Sequence, residues 1–427
     1  MINMPADDTG PNPLESGRDV LDLLLSPPAH LDPYPLYAWL RTHAPVHPSA
    51  YGAHLISRYA DVEHVLKHPE LFPGVPEDAL ARMFPLAVGH EAYEVLVTSL
   101  VGSNPPKHTR LRGLIGRDFT TRRVGSLRAG IEDLAGRLVT EAAERLRAGE
   151  NVDLHAAVSV PMPLHVISDL LGVPHADRSR LAVLVPAMMN VVDPAATPEA
   201  VAAADAAFRE LGTYMSQLVA DRRRTPRDDL VSALVSVHDD DSDRLSDDEL
   251  RTLLFTLWSA GFETTATGID NALLALIDRP ELGHWLEGTE RQAAAFAEET
   301  LRYDPSVQVA PGIRFAAEPV VLSGVKVPAG AQVRLMLGAA GRDEAAFPEP
   351  DRFLPGRAGA APLSFGAGIH YCLGAGLSRL EMTALLPRLH RELPGLALAG
   401  PPGRRRSIPL RDFSSLTVTL TDEIRRR

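Results

Sequence analysis

The chain contains a single cysteine, Cys372, in the stretch LSFGAGIHYCLGAGLSRLEM (363–382), where Gly366, Gly368, Gly374 and Gly376 surround it. Three chemistries compete for such a thiol. It can be a small buried hydrophobe, as most free cysteines are. It can be a nucleophile paired with His370. It can be a thiolate metal ligand. Zinc is poorly served, because no second Cys or His pair stands at ligand spacing. His90-Glu91 does not open a zinc-protease motif either, since the residue four beyond His90 is Glu94. The glycines separate the rest. A core cysteine has no use for four neighbours that each cost backbone entropy. A thiolate held against a large planar cofactor does, because glycine lets the backbone approach the cofactor face and permits positive φ, so that several N–H groups can point at one sulfur. The helical pattern that follows Cys372 aims its positive end at the same sulfur and favours the anion. This suits an iron thiolate. A nucleophile would also need a base in reach and an oxyanion site, which nothing here marks.

Other elements must position that loop. Ser246-Asp247-Asp248-Glu249 reads as a capping box, and Pro280 closes the helix it opens, roughly 50 Å long at 1.5 Å per residue. Leu250, Leu253, Leu254 and Leu257 form an apolar stripe that continues at helical spacing as Gly261, Thr264, Gly268 and Ala272. A stripe that turns small and partly polar halfway along either packs closely on another helix or leaves room for something that is not protein; the spacing alone ranks these equally. His108 and Arg112 share a helix face four residues apart, with Arg110 and Arg117 opposite.

Helical periodicity dominates residues 55–300, with breaks near Pro105-Pro106, Pro186, Pro194 and Pro280. After residue 312 short β-like runs take over. VVLSGVKVPAGAQVRLML reads as three strands, a Pro/Gly-rich coil precedes the Cys loop, a helix spans 374–393, and SLTVTL is a last strand. The expectation is a mainly α protein with small segregated β-sheets: a flexible N-terminal segment over 1–29 and a single domain over 30–427.

Composition narrows the function. The 427 residues carry a net charge of −12, against nonspecific binding of nucleic acid or an acidic membrane. One cysteine allows no internal disulfide. The first residues, MINMPADDTGPNPLESG, lack the features of a secretory leader. No run reaches the roughly 20 apolar residues of a membrane span. A cytoplasmic location is expected. A basic island breaks the acidic trend: Lys107, Arg110, Arg112, Arg117, Arg122, Arg123 and Arg128 against one acid, Asp118. Taken alone, it is a solvated helix face before it is a docking site.

Phe365-Gly366-Ala367-Gly368-Ile369-His370-Tyr371-Cys372-Leu373-Gly374 resembles the haem-binding loop of the cytochrome P-450 family (haem-thiolate monooxygenases), F-G-x-G-x-H-x-C-x-G, at every defining position. Ala260-Gly261-Phe262-Glu263-Thr264-Thr265 resembles the family's oxygen-binding segment on its long central helix. Lys107-His108-Thr109-Arg110-Leu111-Arg112 is similar to its propionate-binding helix, and Glu299-Thr300-Leu301-Arg302 to its E-x-x-R pair. The likeness runs from about residue 30 to 420. Departures include Asn104 for Asp, Gly341 for Asn, and Ser306 for a proline beside the segment that lines the substrate pocket in relatives.

The resemblance implies the P-450 fold, with haem b between the long helix and the Cys372 loop and Cys372 as the axial iron ligand. Phe365, Gly366, Gly374, Ala260 and Gly261 would then surround the cofactor, and His108, Arg112, Arg314 and His370 would hold its propionates. Thr264 and Glu263 would relay protons for O–O cleavage, Thr264 from the small face and Glu263 about 100° round the helix toward solvent. Glu299 and Arg302 would form a buried structural bridge to the coil at Asp351-Arg352-Phe353. No flavin or NAD(P) motif is fused on, since 374-GAG-376 is too short for a dinucleotide fingerprint. Electrons would come from a separate ferredoxin, docked on the face around Arg110, Arg117, Arg122 and Arg123. The implied reaction inserts one atom of O2 into a lipophilic small molecule, by hydroxylation or epoxidation, as a secondary-metabolite tailoring step. Its alternatives are C–C or C–O coupling, multistep oxidation, or haem binding without turnover. Apolar stretches expected to line the substrate site are Phe84–Leu100, Val185–Val192, Val307–Pro311 and Phe413–Leu416, although Met188-Met189 are more commonly core fillers.

Overall fold

The longest helix, Asp247–Asp278, has 32 residues and is about 48 Å long. Ser246 accepts from the backbone N–H of Glu249, while the Glu249 carboxylate accepts from that of Ser246. This is the reciprocal cap read from the sequence. Pro280 opens a short 3-10 turn directly beyond the far end. The computed structural model describes residues 17–26, 29–75, 89–117, 119–189, 196–240 and 245–421.

The long helix serves two apolar cores. Its first half, Leu250 to Phe262, packs with helices Pro161–Leu171 and Pro198–Arg224. Its second half, Ile269 to Ala275, packs with helices Arg128–Arg147, Glu290–Tyr303 and Ala375–Glu392. The handover falls on Glu263-Thr264-Thr265-Ala266-Thr267-Gly268, the small and polar interval of the stripe. Of these six residues Thr264 alone is half-exposed; the others are buried.

The sheets are small and separate. One orders β1 (Val46–Pro48), β2 (Ala53–Ile56), β7 (Gln332–Leu335) and β4 (Arg314–Phe315), with β2 and β7 parallel. A second pairs β3 (Val152–Asp153), β11 (Thr417–Leu420) and β8 (Leu396–Leu398). Hairpins join β5 (Val320–Leu322) to β6 (Val325–Val327), and β9 (Gly403–Arg404) to β10 (Phe413–Ser415). The alternating runs after residue 312 and the final SLTVTL are thus strands, and the architecture is mainly helical. Among the described residues no helix is long and apolar enough to cross a membrane.

One expectation needs correction. The segment 1–29 is not flexible throughout. Asp19 caps helix Val20–Leu24, and Val20, Leu21, Leu24 and Leu25 are buried with Tyr37, Leu40, Leu55 and Met336. Their spacing is one helical face, short enough to hide among proline and glycine. Residues 1–16 lie outside those described. The break expected near Pro186 falls at residues 183–184, between helices His175–Ala182 and Val185–Met189; Pro186 sits in the first turn of the second, where its missing N–H leaves no bond unmade. Pro194 lies outside the described residues.

Candidate active site

The Cys372 loop folds back on itself. The Cys372 N–H donates to the carbonyl of Phe365 at 2.9 Å. Gly366 and Gly368 adopt φ of +69° and +66°. A Cβ on Gly368 would lie 2.2 Å from the carbonyl oxygen of Leu66, so two constraints exclude other residues there. Gly374 differs. Its φ is −81°, and a Cβ would stand 4.0 Å from the Cys372 sulfur, so it clears space rather than turning the chain. Nothing in the structure explains Gly376.

Helix Ala375–Glu392 begins just after the thiol, and the N–H groups of Gly374 and Ala375 bond its sulfur. Cys372 has accessible surface, yet the protein around the sulfur is dense enough that burial pushes its thiol pKa up. The two N–H groups and the guanidiniums of Arg112 and Arg379 pull the other way. Such a thiol is quiet until a cation reaches it. Phe365 lies under the Arg379 guanidinium, 4.6 Å from its ring centre, and Arg379 also bonds the Tyr371 hydroxyl and Glu298.

Beside the loop stand four basic side chains with no acid among them. His108 is buried with both ring nitrogens unpartnered, and its ring centre lies 4.2 Å from that of His370. Arg314 is buried, with Nη1 unpartnered. Arg112 donates to the carbonyl of Tyr371 at 2.6 Å. Burial draws Arg314 down to about 10. His370 falls to about 3, through burial and then the charges of Arg314, His108 and Arg112. Burial also lowers His108 and Arg112, and no carboxylate opposes the effect at any of the four. Buried cations are ordinarily paired. This cradle is complete only with an anionic group between its members.

On the long helix, Trp258, Phe262 and Thr265 are buried, while Ala260 is exposed and Gly261 and Thr264 are half-buried. At Gly261 close packing accounts for the glycine: a Cβ would lie 2.6 Å from Cγ1 of Ile167 on the neighbouring helix. Its position beside Ala260 also keeps it on the accessible face. The Thr264 hydroxyl donates to the Ala260 carbonyl at 3.2 Å, so it is lightly held and can turn. The Thr264 carbonyl in turn accepts from the Ser306 hydroxyl at 2.6 Å. Thr265 Oγ1 donates to Ser378 Oγ at 3.1 Å, tying the long helix to the helix that follows Cys372. Glu263 points away from this face and is buried. Its Oε1 accepts from Arg405 Nη1 at 2.8 Å, and the same nitrogen donates to Asp412 Oδ2 at 3.0 Å. Burial and the Asp412 charge raise Glu263 to about 7, against the smaller pull of Arg405 and His155.

Sequence reasoning missed Arg405, Asp412 and the Ser306 hydrogen bond. The Arg404-Arg405-Arg406 run beside Asp412 was a signal for a paired hairpin, but not for its partner 142 residues away. It also counted Arg110 as a docking cation. Both Nη atoms of Arg110 bond Glu249, at 3.0 and 2.6 Å, which staples helix Lys107–Ile115 to the cap of the long helix. Arg117 and Arg122 are exposed, and Arg123 stands 3.8 Å from Asp228. Of the expected substrate-lining residues, Met188, Phe413 and Leu416 are fully buried in the apolar cores. Residues 84–88 and 190–192 lie outside those described.

The Glu299–Arg302 bridge is buried and bidentate, at 2.8 Å twice. Arg302 also donates to the carbonyls of Gly341, Pro350 and Arg352, and Glu299 accepts from Leu354 N and Arg357. The pair therefore holds the coil that leads to the Cys372 loop.

A mainly helical chain with an isolated thiol at a helix start, a half-buried threonine on its long helix and two guanidiniums that face no acid fits a haem-thiolate protein and the carboxylates of a porphyrin. The chain matches the family model Cytochrome P450 over residues 45–287 and 293–393. It is 40% identical over 414 residues to Cytochrome P450 BJ-3 of Bradyrhizobium diazoefficiens, covering 94% of this chain and 96% of that one. It is 38% identical over 375 residues to the Vitamin D(3) 25-hydroxylase of Pseudonocardia autotrophica, covering 86% and 88%. The solved structure of the Bacillus subtilis 168 bacillaene polyketide synthase cytochrome P450 PksS superposes with a TM-score of 0.80 at 30% identity, covering 93% and 99%. The chain belongs to the cytochrome P450 family and is a monooxygenase-class oxidoreductase whose family cofactor is haem.

Proposed function

We propose that this enzyme uses haem b to insert one atom of O2 into a lipophilic small molecule, by hydroxylation or epoxidation, as a tailoring step on a secondary metabolite. The observation that carries the site is the cradle of buried His108 and Arg314 with half-buried Arg112 and His370 beside Cys372. Two guanidiniums, Arg112 and Arg314, with no acid facing them ask for a dianion, which the two propionates of haem b supply, and His108 and His370 can donate hydrogen bonds to it. The polyketide context of PksS and the lipid substrate in the name of the Pseudonocardia relative support the substrate class.

When bound, haem supplies dioxygen activation and one-electron chemistry, which a thiolate ligand biases toward O–O cleavage. The chain's residues do the rest. Cys372 offers sulfur held by the N–H groups of Gly374 and Ala375, so the anion is favoured once a metal cation offsets its burial. Phe365 and Arg379 cover the loop on one side. Ala260 and Gly261 keep the opposite face shallow. Thr264 presents a hydroxyl held by a long hydrogen bond to the Ala260 carbonyl, so it can turn and pass a proton. Glu263, poised near neutrality, restores that proton from the far side of the helix. Electrons arrive from a separate ferredoxin at the exposed Arg117 and Arg122 and the neighbouring Arg123.

The test is optical. Purified protein reduced with dithionite under CO should show the Soret shift of a thiolate-ligated haem, and Cys372→Ser should lose it. Protein that carries no haem, or a serine variant with an unchanged CO spectrum and turnover, rules the reading out.

A further inference from the structure

Glu263 is buried, and a proton relay needs an entrance. Three observations place one on the β9–β10 hairpin. First, a single nitrogen, Arg405 Nη1, holds both Glu263 Oε1 and Asp412 Oδ2, at 2.8 and 3.0 Å, so the two carboxyls are less than two hydrogen bonds apart. Second, the other oxygen of each, Glu263 Oε2 and Asp412 Oδ1, is buried without a partner. Buried carboxylate oxygens are ordinarily satisfied, so each of these two suits a proton or a bound water. Third, Arg405 and Asp412 line a cavity of about 20 Å³ with His30, Tyr37, Ser407 and Arg411, enough for one water molecule among polar partners. Arg405 itself stays about one-third exposed, at 32%.

We propose that Arg405 and Asp412 form the entrance of the proton path, so that protons reach Glu263 from the cleft between the β9–β10 hairpin and residues 30–37. Once Glu263 has given its proton toward Thr264, a water in the cleft gives one to Asp412 as it takes another from bulk solvent, and Asp412 passes its proton to Glu263 Oε2. One O–H bond breaks as another forms at each stage, and no electrons move. Arg405 is a positioning residue: it keeps the two carboxyls within reach and limits their repulsion. The inference rests on the Glu263–Thr264 relay proposed above and adds its solvent end.

The groups that face Glu263 are few. From the hairpin come Arg405 and Asp412. From the π-helical turn His155–Ser159 comes His155, whose Nδ1 is bonded to Asp270 on the long helix at 2.7 Å. Arg404, further off, faces Asp270. His155 and Asp270 are both buried, which leaves Arg405 as the member of this network that meets solvent. Asp412 raises the Glu263 pKa, and Arg405 and His155 lower it.

The experiment uses haem-loaded protein. The carboxylic C=O infrared band that disappears in Glu263→Gln reports the protonation midpoint of Glu263 without turnover. In Asp412→Asn that midpoint should fall by about one pH unit or more, because a like charge is gone, and in Arg405→Gln it should rise by a similar amount. Arg405→Lys, which keeps the charge, should stay close to wild type. In Asp412→Asn, turnover should drop by about tenfold or more with a larger solvent isotope effect, while the substrate-free Soret spectrum stays the same. Midpoints that do not move in Asp412→Asn and Arg405→Gln, or a wild-type rate and isotope effect in Asp412→Asn, overturn the proposal. Should Asp412→Asn fail to fold, Arg405→Gln and Arg405→Lys carry the infrared test. Tightly coupled turnover in Thr264→Ala would instead sink the relay itself, and the infrared midpoints distinguish that failure from this one.

Discussion

Replacing Glu263 by glutamine should stabilise the protein in alkali and leave it little changed in acid. Glu263 is 7% exposed, and its carboxyl titrates at about 7 instead of 4.5 because burial and Asp412 outweigh Arg405 and His155. A raised folded pKa means that the folded chain holds this proton more tightly than the unfolded chain does. The contribution to stability is therefore fully present below the unfolded value and is lost as pH rises through the folded one. At 1.36 kcal/mol per pH unit the whole loss is about 3 kcal/mol, of which about 2 kcal/mol falls between roughly pH 5.5 and 8.5. Glutamine keeps the shape and an oxygen for Arg405, and Arg405 retains Asp412, so the variant loses the titration more than the contact. Urea unfolding of haem-loaded wild type and Glu263→Gln at the two pH values measures the difference. The variant should gain on wild type by about 2 kcal/mol across that window. A stability difference that does not change with pH would show that Glu263 titrates as an ordinary surface acid, and the physical basis for its place in the relay would go with it.

Three further outcomes are expected. Thr264→Ala should uncouple oxygen consumption from product formation, read as peroxide released per NAD(P)H oxidised, while substrate affinity holds; unchanged coupling would remove Thr264 from the relay. Arg302→Leu should cost about 3–5 kcal/mol in denaturant unfolding and weaken haem retention, because it leaves Glu299 partly unpaired and strips three carbonyls of their donor; a loss under about 1 kcal/mol would mean that the coil is held elsewhere. The double variant Arg117→Glu, Arg122→Glu should slow reduction by an acidic ferredoxin and flatten its salt dependence, whereas Arg110→Glu should mainly lower stability through its broken pair with Glu249. Equal effects on electron transfer from all three positions would restore Arg110 to the docking face.

Much of the site was legible because its parts are local. The capping box at Ser246 and Glu249, the two left-handed glycines before Cys372, and the i, i+3 pair Glu299–Arg302 each depend on neighbours within one or two turns, so residue type and spacing suffice to read them. The apolar face of Val20, Leu21, Leu24 and Leu25 was legible in principle too, but five residues among prolines offer too short a period to stand out. Gly261 marks a different limit. A small residue on a helix has the same signature whether it admits a cofactor or another helix, and only the position of Ile167 shows that packing accounts for it.

The sequence by itself determined which residue presents sulfur, where the long helix starts and stops, and that its stripe turns small and polar at Gly261 and Thr264. It could not determine which charges meet. Whether Arg110 faces a partner or Glu249, whether Ser306 lines a pocket or holds the Thr264 carbonyl, and which cation stands against Glu263 all depend on contacts spanning 42 to 142 residues. Electrostatic energy depends on distance in space and on the water excluded between charges, and neither is written in their order along the chain. The folded protein alone buries the Glu263 carboxyl and brings Asp412 and Arg405 to it, and burial with the Asp412 charge outweighs Arg405 to hold its pKa near neutrality.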